Sequence, residues 1–237
     1  MSITFQNQAD NYAYGGVSTQ ITLDVTAGDL IVVWVGAQWD HDTPVYCDEV
    51  TDDIGNTYTV RPVVKNGKCS SVFAYVLSSV DTDSENVITV AYNVTNDASK
   101  YVIGSCYEPD GGDTVTLEDS SGNSSAWQSS PWDTGANQIT TTGTDELLIA
   151  GFVCVGSRTY SEQEIPSGVT TDVNVLTASS DADTCFYRIM TEGISNAEAE
   201  VTVTGGDSAF AAEILAFKAE SSITDWTTHE HTTLVFS

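Results

Sequence analysis

Basic residues are what this 237-residue chain most lacks: seven Lys and Arg stand against 34 Asp and Glu, a formal net charge of −27. Phosphate contacts need clustered Lys and Arg, so nucleic acid is excluded as a direct partner, and an anionic membrane surface is disfavoured for the same reason. No apolar run approaches the roughly 20 residues that span a bilayer. Met1 to Gln8 has neither a basic n-region nor an apolar h-region. If the chain starts naturally there, the usual secretory route is not expected. Histidine is scarce, at three residues, and no G-x-S-x-G is present, so a Ser-His-Asp hydrolase has no foothold. His41, between Asp40 and Asp42, reads as a solvated loop residue. The five cysteines are odd in number and include no C-x-x-C pair, which argues against a zinc site or a thioredoxin-type motif. Cys47 and Cys69 flank a predicted hairpin and are candidates for a bridge; Cys106, Cys154 and Cys185 lie in apolar strands as small buried hydrophobes.

Apolar residues make up 41% of the chain, enough for a large core and too many for a disordered acidic tail. The acids are dispersed in ones and twos between apolar segments. Such a surface suits concentrated salt, where screening acts within about 3 Å at 1 M.

Two stretches organise the rest. "TAGDLIVVWVG" (26–36) and "TGTDELLIAGFV" (142–153) are each a polar turn feeding a continuous apolar run, the pattern of a strand buried on both faces. Around them lie strand-length segments separated by Asp/Ser/Asn-rich turns. "VTDDIGNTYTV" (50–60) reads as a hairpin about Gly55-Asn56. The Ser/Gly/Asn-rich segment around Ser120 to Ser125 reads as a long surface connection. The second series echoes the first. Leu30 aligns with Leu147, Phe73 with Phe186 and Val90 with Val203, at offsets of 117, 113 and 113 residues, and 101–107 corresponds in order to 210–217. "AFAAEILAF" (209–217) is helix-compatible by composition, but its place in the echo makes it a closing strand. The expected fold is all-β, an antiparallel, jelly-roll-like β-sandwich. It forms one domain over 1–219, built from pseudo-repeated halves at about 20–108 and 135–219, with two tandem small domains as the alternative. Residues 220–237 form a tail whose apolar end either covers its own sheet edge or joins a neighbouring chain; Trp226, Leu234, Val235 and Phe236 are its candidate assembly residues.

Chemistry-bearing candidates are few. Trp39, Trp127 and Trp132 lie in loops beside Asp and Asn, as exposed rings suited to sugar or protein contact or as caps on the ends of the sandwich. Asp81, Asp83 and Glu85, with Asp110 and Asp113, form acidic loops able to offer hard oxygens to calcium or another cation, though none has EF-hand spacing. Ordinary acidic turns are the bland alternative. His229 and His231 offer too few ligands for a metal. No carboxylate pair stands out among 34, so no catalytic residue is nominated. Asn93-Val94-Thr95 and Asn123-Ser124-Ser125 are glycosylation sequons.

In order, "VTAGDLIVVWVG", "VTDDIGNTYTV", "FAYVL", "NVITVAY", "TTGTDELLIAGFV" and "AFAAEILAFKA" resemble a broad group of β-sandwich domains of phage and archaeal-virus structural proteins and microbial surface proteins, over about residues 20–219. The resemblance, taken with the N-terminus that lacks a secretory pattern and the salt-adapted charge balance, points to a virion surface component (capsid turret, decoration or tail fibre) from a virus of a halophilic archaeon. Its partners would be copies of itself, other virion or surface proteins, and host glycans. A cellular adhesin or filament subunit polymerising by strand donation is the alternative, and a carbohydrate-active enzyme a more distant one. The group carries no catalytic signature, and no cofactor beyond cations at acidic loops is implied.

Overall fold

In a computed structural model, residues 2–39, 43–79, 86–95, 97–110, 114–135, 139–142, 145–176 and 183–220 are described, and among them every regular element of length is a β-strand. The first nine strands are β1 (Ile3–Tyr14), β2 (Ser18–Leu23), β3 (Leu30–Gln38), β4 (Cys47–Asp52), β5 (Thr59–Val60), β6 (Val64–Lys65), β7 (Cys69–Leu77), β8 (Asn86–Tyr92) and β9 (Ser99–Pro109). They form an inner sheet in the order β1-β9-β3-β7-β5, with β6 also on β7, and an outer sheet β2-β8-β4. The next eight are β10 (Thr114–Gln128), β11 (Trp132–Asp133), β12 (Glu146–Cys154), β13 (Thr159–Glu164), β14 (Asn174–Leu176), β15 (Asp183–Met190), β16 (Glu200–Thr204) and β17 (Ser208–Glu220). Their inner sheet runs β10-β17-β12-β15-β14 and their outer sheet β11-β16-β13. The two strand orders match position for position, and all pairings are antiparallel.

The all-β antiparallel sandwich expected from the sequence is therefore present, with each half contributing two sheets. The described residues form four layers. On β3, Leu30, Val32 and Trp34 face a central interior shared with Leu147, Ile149 and Val153 of β12. Ile31, Val33 and Val35 face the first outer sheet, and Leu148, Ala150 and Phe152 face the second. This is why both strands read as unbroken apolar runs: each lies mid-stack, with a sheet on either side. Burying each such side chain stabilises the fold by about 1.5–3 kcal/mol.

At the centre the halves meet unequally. A Cβ on Gly151 would lie 2.1 Å from Nε1 of Trp34, so the indole occupies the place a side chain there would need. The same indole donates to Ser71 Oγ at 2.9 Å. Beside it Glu213 of β17, 3% exposed, accepts the Phe73 backbone N–H at 3.2 Å and lies 3.9 Å from Arg61 Nε.

Several sequence expectations change. The segment 50–60 is not a hairpin: β4 pairs with β8 in the outer sheet while β5 pairs with β7 in the inner one. The chain crosses between sheets there. Gly55, at φ +89°, makes the corner, and Asp52 accepts the Gly55 and Asn56 N–H groups at 2.8 and 2.9 Å. The Ser-rich stretch is not a surface connection but the middle of β10, a fifteen-residue strand of which twelve residues pair with β17. Phe73 and Phe186 do not correspond. Phe73 faces the central interior and Phe186 the second outer one, because register pairs Trp34 with Phe73 but Gly151 with Cys185. A one-residue slip moves a strand's side chains to the other face. The structural partner of Phe73 is Cys185. Residues 208–220 are the closing strand expected, and the tail with Trp226, Leu234, Val235 and Phe236 lies outside the described residues.

Candidate functional site

β3 and β12 run side by side in the same direction across the central interior, since Gly36 approaches Val153 while Trp34 covers Gly151. Their C-terminal ends therefore open at one end of the molecule. The ends of β1 and β10 join them there, because Tyr14 pairs with Ser99, Gln38 with Ser99 and Gln128 with Ser208. Between the two halves at this end lies a cleft of about 240 Å³, lined by Tyr14, Gln38, Trp39, Asp97, Ser99, Val155 and Gly156.

Local sequence explains each wall. Beyond its bulge at Phe5/Asn7, β1 pairs in unbroken register to Tyr14, so Tyr12 and Tyr14, two residues apart, share a face. Tyr12 packs on Tyr101 at 5.3 Å between ring centroids and meets Ser99 Oγ at 3.3 Å, while Tyr14 stays 66% exposed. The turn beyond is pinned from within. The ammonium of Lys100, a fully buried residue, donates to the carbonyls of Gly15 and Gly16, and Gly15 N–H donates to Ala98 O. Across the cleft, Gln38 joins the halves: its Nε2 donates to Tyr101 Oη at 2.7 Å and its Oε1 accepts the Gly156 N–H at 2.9 Å. The Trp39 backbone N–H is held by Lys68 O. Its indole N–H is buried and has no acceptor among the described residues. Asp97 is exposed and brings the cleft its carboxylate.

The three tryptophans expected to be exposed separate. Trp39 is 2% exposed, its ring packed in the first outer interior while it lines the cleft. Trp132 is wholly buried: its ring stacks on Phe210 at 5.3 Å and its N–H bonds Gln128 O at 3.2 Å, so it belongs to the core of the second half. Trp127 is exposed as expected, at 69%. Tyr14, not among the residues singled out from the sequence, is the large exposed ring of the cleft; two Tyr spaced i, i+2 before Gly-Gly was the available signal.

Of the acidic candidates, Asp110 is exposed beyond β9, at the other end of the inner sheet, with its N–H on Ser2 O. Asp81, Asp83, Glu85 and Asp113 lie outside the described residues, as do His41, His229 and His231. Among the described residues no group of three or more His, Cys, Asp or Glu is arranged to hold a metal. The Asp52 carboxylate, in the Asp48–Asp53 cluster, is engaged by Gly55, Asn56, Tyr58 and Asn86. Both sequon asparagines are also engaged: Asn93 bonds Pro44 O and the Tyr46 N–H, and Asn123 bonds Asp133. None of the five cysteines is in a disulfide, and all are buried. Cys47 and Cys69 face different interiors, and burial pushes both up to about 12 and Cys154 to about 11, which suppresses the reactive thiolate.

Compared with known proteins, the chain matches no family model, no curated protein and no solved structure.

Proposed function

We propose that the chain is a surface structural protein of a virus particle, a turret, decoration or tail-fibre component, from a virus of a salt-loving archaeon, and that it assembles with copies of itself and with other particle proteins. The observation that carries the assembly half is the outer edge of β1. Among the described residues β1 pairs on one side only, with β9. Its twelve residues contain a single charge, Asp10, and no Lys or Pro. Exposed edges in lone proteins are ordinarily blunted by such residues. An edge with one carboxylate, regular from Asn7 to Tyr14 beyond a bulge at Phe5/Asn7, on a chain of net charge −27 is a favourable place for a second chain to add.

The salt-loving setting draws on where the cations sit. Lys100, Arg158 and Arg188 donate to backbone carbonyls, Lys65 lies over the Tyr46 ring, and Arg61 faces Glu213. They serve the fold and leave the surface carboxylates to the solvent. The nested strand order of each half, first strand beside last and second beside second-last in sequence, supports the jelly-roll-like reading and its resemblance to virion sandwiches.

The test is the mass of the purified protein in solution at molar and then low salt. A discrete oligomer at molar salt that loosens on dilution is expected; a monomer at both salts refutes the proposal. A chain ending at Ala219 separates the routes of assembly, since continued assembly without the tail leaves the β1 edge as the seam. The same free edge also fits the second reading, a cell-surface filament subunit growing by strand addition, in which the oligomers would be open-ended in length.

A further inference from the structure

We infer that the cleft between the two halves is a binding subsite for a single neutral sugar ring. A sugar has a face of C–H groups and a rim of hydroxyls, so its site combines an aromatic ring with polar groups beside it. The cleft has that pairing. The Tyr14 ring stands 66% exposed on one wall, an arrangement water disfavours and a stacked pyranose face would cover. The Asp97 carboxylate and Ser99 hydroxyl belong to the same cleft and offer hydroxyl partners. Trp39 also lines the cleft, and its buried indole N–H has no acceptor among the described residues, so a sugar hydroxyl that reaches it would supply one.

Size and charge narrow the class. About 240 Å³ falls below the ~300–1,000 Å³ usual for drug-sized ligands, which points to one ring with the remaining glycan outside. A chain of net charge −27, with Asp97 in the cleft itself, disfavours uronic or sialic acids. A lone carboxylate does not make a calcium site, which takes 6–8 oxygens. The walls are fixed in advance by Gln38 on Gly156 and by Lys100 beneath the Gly15-Gly16 turn, so little ordering cost falls on binding. Placing that sugar on a host envelope rests on the virion reading above; the binding itself rests on the cleft alone.

The test is titration of the full chain in molar KCl with methyl glycosides of glucose, galactose, mannose and N-acetylglucosamine, and with methyl glucuronide as the anionic counterpart. Binding is read by saturation-transfer NMR and tryptophan fluorescence. Saturable binding of at least one neutral glycoside with Kd on the order of 1 mM is expected. Tyr14→Ala should weaken it about tenfold or more, Tyr14→Phe should preserve it, Asp97→Asn should weaken it, and the glucuronide should bind worst. Both positions are exposed, and an unchanged urea midpoint shows that each variant folds. Failure of every neutral glycoside to bind at up to about 50 mM overturns the inference, as does wild-type affinity in Tyr14→Ala or a preference for glucuronide. Solution mass on the same samples keeps the readings apart: assembly without sugar binding sinks this inference alone, and sugar binding by a salt-indifferent monomer sinks the virion reading alone.

Discussion

Replacing Glu213 by Gln should leave the protein little changed near pH 5 and stabilise it progressively as pH rises. Glu213 lies in the seam between the two halves, where burial pushes its carboxyl up to about 8 despite Arg61 nearby and the Phe73 N–H it accepts. In the unfolded chain the same group titrates near 4.3. Between those values the folded protein holds a proton that the unfolded chain has released. Stability from this group is thus complete at low pH and is lost as pH rises through 8. Each pH unit is worth ~1.4 kcal/mol, so the loss reaches a ceiling of about 5 kcal/mol. Gln keeps an oxygen for the Phe73 N–H and has nothing to titrate. Urea unfolding of both proteins in the same molar KCl at pH 5, 7 and 9, followed by tryptophan fluorescence, isolates the difference, because the other carboxylates are common to both. The Gln variant should gain a few kcal/mol between pH 5 and 9. A difference that stays flat, or that turns against Gln as pH rises, refutes the reasoning: it would mean that Glu213 is ionised and held by Arg61 as a working ion pair, across the 3.9 Å that separates them.

Three further outcomes follow from the packing and the surface. Gly151→Ala drives a methyl into the Trp34 indole and should cost about 1–3 kcal/mol or more in urea unfolding; near-wild-type stability would show that the indole has room to move. Asp52→Ala strips acceptors from the Gly55 and Asn56 N–H groups, Tyr58 and Asn86, and at about 1 kcal/mol per bond should cost roughly 2–4 kcal/mol; a loss under half that would mean water replaces the carboxylate. Glu200 stands directly between Asp133 and Glu164 across three strands, and burial together with Glu164, Glu198 and Asp133 raises its carboxyl. Glu200→Gln should therefore raise the Tm at low salt and gain much less in molar KCl, where screening already relieves the ladder; an equal gain at both salts would rule out charge repulsion as the cause.

The strands at the centre of the stack were the most legible part of the fold. An apolar run in a parallel sheet is covered by helices, but an antiparallel strand normally shows one wet face. The continuous runs of β3 and β12 therefore already implied a sheet on each side, and four layers were latent in them. β10 was illegible for the opposite reason. As an edge strand of Ser, Gly and Asn it has little apolar signal, and its pairing with β17 is decided by backbone hydrogen bonds that composition does not report. At 50–60 the turn chemistry was read correctly and its consequence was not. Gly55 does turn the chain, but which sheet receives the next strand depends on β7 and β8, neither adjacent in sequence. Phe73 against Phe186 shows the limit of an alignment by residue type, because the face of a strand is set by register with its neighbour. The cleft could not be read at all, since Tyr14, Trp39, Asp97 and Gly156 come from four separated segments and only the stacking of the two halves brings them together.

That stacking also bears on where another molecule can approach. Bringing two acidic surfaces together costs Coulomb energy over a Debye length of about 10 Å at 0.1 M salt and about 3 Å at 1 M. Contacts should therefore fall where carboxylates are sparse. The outer edge of β1 is one such place, with Asp10 alone over twelve residues. The end of the molecule bearing Tyr12, Tyr14, Val17 and Trp127 carries the larger exposed apolar groups of that region, beside the Asp97 carboxylate. Both involve β1, whose edge runs along the first half and whose last residue forms a wall of the cleft. A neighbour paired along the regular edge from Asn7 onward would reach Tyr14 from outside. Strand addition and sugar binding would then meet at one residue, so that assembly at high salt would alter the affinity of the cleft, and a sugar bound there would in turn shift the assembly equilibrium by the same factor.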